Sequence, residues 1–526
     1  SPENLLTTHW RNNVAMKREG VAVIDFGGQY AHLISRRIRD LGVYAEIVPY
    51  WRWQEVLDDP LVKAVVLSGG PASVYDENAP QLPVEFFSNV TKPVLGICYG
   101  AQLMAHLLGG KVGPAPGGEY GRTKLVVKNS EPLFTGTPTA QDVWMSHGDQ
   151  VVELPSGFEV SASTEHCPLA AFQKEPLFFA VQFHPEVAHT QFGNALLKNF
   201  AFGVAKAEVN WNITDYVSEA IREIRETVGE NGMVLGALSG GVDSAVAAVL
   251  THRALGCGRL QCLYIDTGLQ RAEDEAHVRN LSKHLGLKIK VVDAKERFLK
   301  ALEGVIDPEQ KRKIIGNLFI QVFEEEARNL GHFDFLLQGT LYPDVIESGE
   351  GSASVIKSHH NVGGLPQSLG LKLLEPLRWL YKDEVRNMGR WLGIPEDFLM
   401  RHPFPGPGLA VRTIGPVKEE YLDILRRAHS VLERVLKEEG VYNELWQAFP
   451  VFTGVKSVGV KGDARHYGWV LAVRMVQSVD AMTADWYKAP PELLDKIASS
   501  LISEIPEISR VVYDITSKPP GTIEWE

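Results

Sequence analysis

The sequence predicts an α/β fold: two doubly wound parallel-sheet domains followed by a small α+β domain. Three observations carry this. Short apolar runs end in glycine turns and lead directly into helical patterns, as at residues 21–25 before Gly27-Gly28, 94–97 before Gly100 and 233–235 before Gly240-Gly241. Strands that alternate with helices in this way build parallel sheets. The alternation begins near Val21 and again after Trp211, and it ends at the Pro/Gly stretch 402–408.

Bulk properties narrow the class. A chain of 526 residues has room for three or four domains of roughly 150 residues. Apolar residues make up 44% and charged residues 22%, so large cores are available and long disorder is not expected. The net charge of −12 argues against nucleic acid as a partner. Cys98, Cys167, Cys257 and Cys262 show no CxxC spacing, which fits a reducing, cytoplasmic setting without disulfides or zinc. No apolar run reaches the roughly 18–20 residues that span a bilayer, so no membrane partner is expected. The longest candidate, 234–250, is interrupted by Gly240, Gly241 and Asp243. Residues 1–15 lack the apolar core of a secretory signal. Residues 1–19 read as an N-terminal extension, with Met16 a candidate start.

The first domain is expected over residues 20–206. Strands are expected at 21–25, 43–48, 64–67 and 94–97, with a helix at 30–41. Ligands of such sheets sit at the carboxyl ends of strands. Leu95-Gly96-Ile97-Cys98-Tyr99-Gly100 places a thiol between a strand and a helix at 101–108. A helix N-terminus stabilises a thiolate there. Ser68-Gly69-Gly70-Pro71 ends the preceding strand, and the N–H groups of Gly70 and Tyr99 are candidates for an oxyanion hole. After a strand at 178–183 come His184-Pro185-Glu186. His184 can take the Cys98 proton and Glu186 can orient the imidazole. This combination resembles the class I glutamine amidotransferases over about residues 21–204. The resemblance implies that Cys98 attacks the side-chain amide of L-glutamine, that a thioester forms and that ammonia leaves. Gln102 and Ser146-His147-Gly148-Asp149 resemble segments that line the glutamine site in that family. His147 reads equally well as a structural histidine.

The middle domain is expected over 207–402, with an opening helix at 216–228 capped by Thr214 or Asp215. Ser239-Gly240-Gly241-Val242-Asp243-Ser244 then turns a strand into a helix. Free N–H groups, the helix dipole and two hydroxyls make this an anion site. Asp243 belongs beside phosphates only if magnesium lies between them. No Lys follows the glycines, which separates the loop from the GxxxxGK[ST] pattern. It resembles the SGGxDS pyrophosphate loop of the ATP pyrophosphatases, whose fold is that of the adenine nucleotide α-hydrolases. Further strands are expected at 260–265, 288–292 and 335–338, and the resemblance implies that adenine packs at the end of the first of these.

The run 339–348 resembles the GTLYPDVIES segment that lines the ATP site of GMP synthetases. Asp344 within it is a candidate for ATP or magnesium contact, or the cap of a turn. The Gly/Ser-rich stretch 349–364 has the composition of a lid, and its Lys357 could reach phosphate. His359 and His360 lack a third ligand at suitable spacing. The basic cluster at 307–316 precedes an amphipathic helix. Its Arg312 matches the family's Arg that contacts the nucleotide substrate.

The last domain is expected over 403–526. Leu422, Leu425, Ala428, Val431, Leu432 and Val435 mark one face of a helix at 418–438. Strands are expected at 469–475 and 511–515. The terminus, 517–526, carries two prolines, Ile523 and Trp525, which suggests that it docks. It resembles the C-terminal end of GMP synthetases, which implies xanthosine monophosphate (XMP) contacts at Lys518, Ile523 and Glu524, with Gln447 as another. That family forms homodimers through this domain. As a whole, residues 21–526 resemble GMP synthetases. The resemblance implies XMP, ATP and L-glutamine as small-molecule substrates, with Mg2+ accompanying ATP. The competing readings are a tRNA thiolase, an NAD synthetase or a non-catalytic nucleotide-binding scaffold. The glutaminase motifs disfavour the first two, and the intact set Cys98, His184, Glu186 and Asp243 disfavours the third.

Overall fold

The structure, a computed structural model, describes residues 15–28, 30–347, 368–478 and 483–526. Its contacts divide into two compact units, Ser1–Asn212 and Ile213–Glu526.

The first unit is organised by a nine-stranded sheet. Its strands are β1 (Gly20–Asp25), β2 (Ala45–Pro49), β3 (Val62–Leu67), β4 (Val94–Ile97), β5 (Lys111–Val127), β6 (Ala140–Glu153), β7 (Glu159–Ser163), β8 (Ala171–Lys174) and β9 (Phe178–Val181). Their order is β2-β1-β3-β4-β9-β8-β7-β5-β6. The neighbours from β2 to β9 pair in parallel, as the strand–helix alternation predicts. From β9 outward the pairing is antiparallel. These antiparallel strands extend the expected parallel sheet. Pro114, Pro116, Gly117 and Gly118 break the apolar alternation of β5, and both glycines have positive φ where its register with β6 shifts. The long hairpin was therefore not legible as two strands.

Ala15 and Met16 are buried, and the Met16 N–H donates to Asp59 Oδ2 at 2.8 Å. Residues from Ala15 onward thus pack with the first unit, although the sequence places them in an extension. The handover near Trp211 is equally concrete: its ring packs 5.0 Å from Tyr44 and beneath the Arg39 guanidinium, within the first unit.

The second unit holds two sheets. A parallel sheet of order β12-β11-β10-β13-β14 is built from β10 (Val234–Leu238), β11 (Leu260–Asp266), β12 (Ile289–Asp293), β13 (Phe335–Leu337) and β14 (Lys372–Leu374). The other contains β15 (Gln447–Lys461), β16 (Ala464–Gln477), β17 (Asp485–Trp486) and β18 (Ile508–Tyr513). Here β15-β16-β17 pair antiparallel and β18 joins β16 in parallel. The helix Glu419–Glu438 buries all six predicted apolar positions. One hydrophobic core runs from Leu235, Leu263 and Ile265 through Phe323 to Leu425, Leu432, Val473 and Ile497. The Pro/Gly stretch therefore joins two sheets that share a core.

Three local expectations are corrected. The helix Ile213–Val228 starts early enough to place Thr214 and Asp215 inside its first turn, where Asp215 favours the helix dipole instead of capping it. The basic cluster lies within the helix Pro308–Leu330, not before it. The side chain of Asp307 caps that helix by accepting the Gln310 N–H at 2.8 Å. Lys418 is the N-cap position of its helix and not its first helical residue.

Candidate functional site

In the first unit, β4 ends at Ile97 and the helix Tyr99–Leu107 begins two residues later. Cys98 makes this turn at φ 50°, ψ −106°. Left-handed backbone at a non-glycine residue costs about 1–3 kcal/mol and is held only by surrounding structure. The flanking glycines supply that structure. A Cβ at Gly100 would stand 2.3 Å from the Leu67 carbonyl oxygen, and one at Gly96 would stand 2.8 Å from the Ala101 nitrogen. The two glycines are required so that strand and helix can close on the elbow.

The partners converge from distant strands. A Cβ at Gly69 would lie 3.2 Å from His184 Cε1 and 3.7 Å from Cys98 Cβ, so the Ser68–Gly70 turn lies against both residues. Tyr99 is the first residue of its helix, whose N–H has no intrahelical acceptor. His184 Nδ1 lies 2.7 Å from Glu186 Oε1, and Glu186 is fully buried. Burial works against a charged ring, but the Glu186 carboxylate and the Cys98 sulfur outweigh it and raise His184 well above its ordinary value. The Cys98 Sγ also lies 3.6 Å from the Ser146 carbonyl oxygen. Cys98, His184 and Glu186 are thus brought together, with Gly69 against the first two and Gly70 against Tyr99.

Behind them, Gln102 Nε2 donates to the Asp149 carbonyl oxygen at 2.9 Å. The His147 ring is engaged on both sides, with Nδ1 2.9 Å from the same Asp149 oxygen and Nε2 3.3 Å from Glu119 Oε2. This geometry favours the structural reading of His147. Gly148 and the half-buried Asp149 follow it on β6. Glu119, His147 and Cys167 form a buried group whose ligand atoms lie within 4.8 Å of one another. Burial and Glu119 push the Cys167 thiol up to about 12, so on its own it keeps its proton. Thr164 Oγ1 donates to Glu119 Oε1 at 3.0 Å.

In the second unit, the expected anion loop leaves β10 and enters the helix Val242–Leu255. Gly240 has φ +83° and Gly241 is the N-cap residue. Ser239 and Ser244 brace the turn from inside: their hydroxyls are 3.1 Å apart, and Ser239 Oγ accepts the Gly241 N–H at 3.2 Å. The sequence offered no lysine here, but the fold supplies one. Lys382 Nζ lies 2.7 Å from Asp243 Oδ1, with both side chains about a quarter exposed. Arg401 contributes a second cation. It is buried, ion-paired with Asp274, and its guanidinium reaches the Gly240 carbonyl oxygen at 3.4 Å. Asp344 Oδ2 accepts the Leu341 N–H at 3.0 Å, so this carboxylate caps the helix Tyr342–Glu347. Lys357 and the stretch 349–364 lie outside the described residues.

The nucleotide candidates gather around the chain terminus. Arg412 spans the Phe449 ring at 3.8 Å and donates to both oxygens of Glu524, at 2.8 Å to Oε1 and 3.1 Å to Oε2. Arg474, fully buried, donates to the carbonyls of Thr516, Thr522 and Ile523. Lys311 Nζ, also fully buried, pairs with Glu526 Oε2 at 2.6 Å, and Arg312 donates to the Glu526 main-chain oxygen. Gln447 Nε2 donates to the Pro403 carbonyl at 2.8 Å. Lys518 is tied through its backbone to Ala484. Three buried cations therefore dock a terminus that ends in -Ile-Glu-Trp-Glu. Sequence reasoning missed Lys382, Arg401, Arg412 and Lys311. Each looks like an ordinary surface cation until the fold buries it or sets it beside an acid.

Comparison with known proteins identifies the family of each segment. Residues 22–204 match the family model "Glutamine amidotransferase class-I". Residues 213–322 match "NAD synthase", and residues 434–525 match "GMP synthase C terminal domain". The "GMP synthase [glutamine-hydrolyzing]" of Caldanaerobacter subterraneus is 54% identical over 98% of this chain and the whole of that protein. That of Aquifex aeolicus is 54% identical over 97% of this chain and the whole of that protein. This chain belongs to the glutamine-hydrolysing GMP synthase family. The corresponding protein of Bacillus subtilis is 50% identical over 97% of this chain and 99% of its own length. Full-length similarity separates this chain from an NAD synthetase, which the middle match alone would not. Among the described residues, no helix is long and apolar enough to cross a membrane.

Proposed function

We propose that the chain makes GMP from XMP, ATP and L-glutamine, with Cys98 as glutaminase nucleophile and the 239–244 loop as the pyrophosphate site. The observation that carries this is the meeting of the strained Cys98 elbow with the His184–Glu186 pair and the Gly70 turn, in a chain of this family. His184 takes the Cys98 proton, and its raised pKa favours the protonated ring. The sulfur attacks the amide carbon, and the N–H groups of Gly70 and Tyr99 receive the oxyanion. His184 returns the proton to the departing nitrogen, giving ammonia. It then removes a proton from the water that hydrolyses the thioester.

In the second half-reaction the C2 oxygen of XMP attacks the α-phosphorus of ATP and pyrophosphate leaves. The loop N–H groups, Lys382 and Arg401 receive the charge on pyrophosphate. Asp243 would hold the magnesium that accompanies ATP through the carboxylate oxygen that Lys382 does not take. Ammonia then attacks C2 and expels AMP. The XMP contacts are proposed at Arg312, Gln447, Lys518, Ile523 and Glu524, with Arg412 holding Glu524 in place. A cytoplasmic homodimer joined through residues 403–526 completes the reading. Val455, Val458, Val460 and Tyr467 on the β15–β16 hairpin are more than half exposed, which supports a covering surface there.

Oxygen-18 placed at C2 of XMP tests the chemistry. One label is expected in the phosphate of AMP for each GMP formed. Label released to water, with none in AMP, would show that XMP is not adenylated.

A further inference from the structure

Gln182 follows β9, two residues before His184, and is 1% exposed. Its side-chain nitrogen lies 3.5 Å from Cys98 Sγ, and its oxygen lies 3.3 Å from Gln102 Nε2. An amide can be turned either way, and the surrounding donors and acceptors fix this one. Gln102 Nε2 also meets the Asp149 carbonyl oxygen at 2.9 Å. A carbonyl only accepts, so this end of Gln102 is its NH2 group. Gln182 must therefore offer its oxygen to Gln102, and its own NH2 faces the sulfur.

The Asp149 oxygen is itself pinned. His147 Nδ1 lies 2.9 Å from it and by the same logic carries a proton, leaving Nε2 toward Glu119. Glu119 also accepts from Thr164 Oγ1 at 3.0 Å. Gln102, Glu119, His147 and Thr164 are all at least nine-tenths buried. A hydrogen-bonded chain thus runs from His147 through the Asp149 carbonyl, Gln102 and Gln182 to the nucleophile. Packing alone would be served by a methionine at position 182.

We infer that Gln182 is a further catalytic residue of the glutaminase, donating its amide N–H to the Cys98 sulfur. Its donor acts twice. It stabilises the thiolate while His184 holds the proton. It acts again in thioester hydrolysis, when the C–S bond breaks and its electron pair returns to sulfur, while the proton taken from water stays on His184. His147 is a positioning residue that acts through the Asp149 carbonyl and Gln102. The inference rests on Cys98 being the glutaminase nucleophile.

Two variants of the full chain test it. Gln182→Met keeps length and removes the donor, whereas Gln182→Glu keeps shape and sets an acceptor against the sulfur. Hydrogen bonds to a charged group predict a loss of about 10- to 100-fold in glutamine-dependent kcat for Gln182→Met, and a larger loss for Gln182→Glu. Glutamine KM and the rate with added ammonium should stay within about twofold. The rise of Cys98 alkylation by iodoacetamide with pH should move to higher pH in both variants, a readout that simple repacking does not move. Unchanged kcat and an unchanged alkylation profile in both variants, with thermal unfolding as in the parent, would overturn the role of Gln182. A loss confined to KM would also overturn it, by assigning the residue to substrate binding. Cys98→Ala is the control for the underlying reading: continued use of glutamine by that variant would remove Cys98, and Gln182 with it.

Discussion

The two centres of this chain handle charge in opposite ways. Around Cys98 the partners are backbone carbonyls, amide side chains and the His184–Glu186 pair, held by a strained turn whose neighbours leave no space for a side chain on Gly96 or Gly100. Around the 239–244 loop and the chain terminus, cations face carboxylates: Lys382 with Asp243, Arg401 with Asp274, Arg412 with Glu524 and Lys311 with Glu526. The difference matches the two tasks. A nucleophile made from the protein's own sulfur needs fixed geometry above all. A site for a triphosphate and a nucleotide monophosphate needs cations to balance the ligand charge. Those cations need acidic partners of their own while they are buried.

The contrast can be broken by mutation, and the largest effect is expected at the sulfur. Cys98→Ala should lower glutamine-dependent GMP formation by at least about 1,000-fold and leave synthesis from ammonium unchanged. Parallel assays with the two nitrogen sources check this, and equal loss in both would remove the separation. Asp243→Asn should lower AMP formation about 100-fold or more with either nitrogen source, measured as AMP release at saturating ATP and XMP. A near-normal rate would leave Asp243 as no more than the partner of Lys382.

At the terminus, Arg412→Gln leaves Glu524 without its cation in a mostly buried position. Breaking such a pair costs about 3–5 kcal/mol when fully buried. Glu524 keeps some solvent contact, so a smaller loss of stability is expected, together with an XMP KM about tenfold higher. Initial rates against XMP and a urea midpoint measure the two effects.

The smallest effect concerns pH. His402 stacks on Tyr442 at 3.9 Å, and burial holds its ring down to about 4, against about 6.5 in an unfolded chain. Between these values the unfolded state binds the extra proton. Stability is therefore full above about 6.5 and falls as pH drops toward 4, by about 3 kcal/mol for this group. His402→Gln should flatten that part of the profile, as read from urea midpoints between pH 7 and pH 4. An identical slope in the variant would contradict this.

The difference between the centres also explains what was legible in the sequence. Elements and motifs that depend on neighbouring residues could be read directly. Glycines flank Cys98 because the elbow needs them within two positions, and the six apolar positions of the helix Glu419–Glu438 follow its own period. The β5–β6 hairpin was lost because prolines and glycines interrupt it and many of its side chains face solvent. Charge pairing between distant segments was lost for a different reason. Lys382 meets Asp243 across 139 positions, and Arg412 meets Glu524 across 112. No local pattern marks either cation. Gln182 meets Cys98 across 84 positions, and nothing in the residues beside it announces a sulfur.

AMP release with ATP, magnesium and glutamine, measured with and without XMP, tests the central claim most directly. The account predicts AMP only when XMP is present, with GMP and glutamate formed in equal amounts. AMP release that is indifferent to XMP, from folded protein, would contradict it and return the second unit to some other ATP pyrophosphatase reaction.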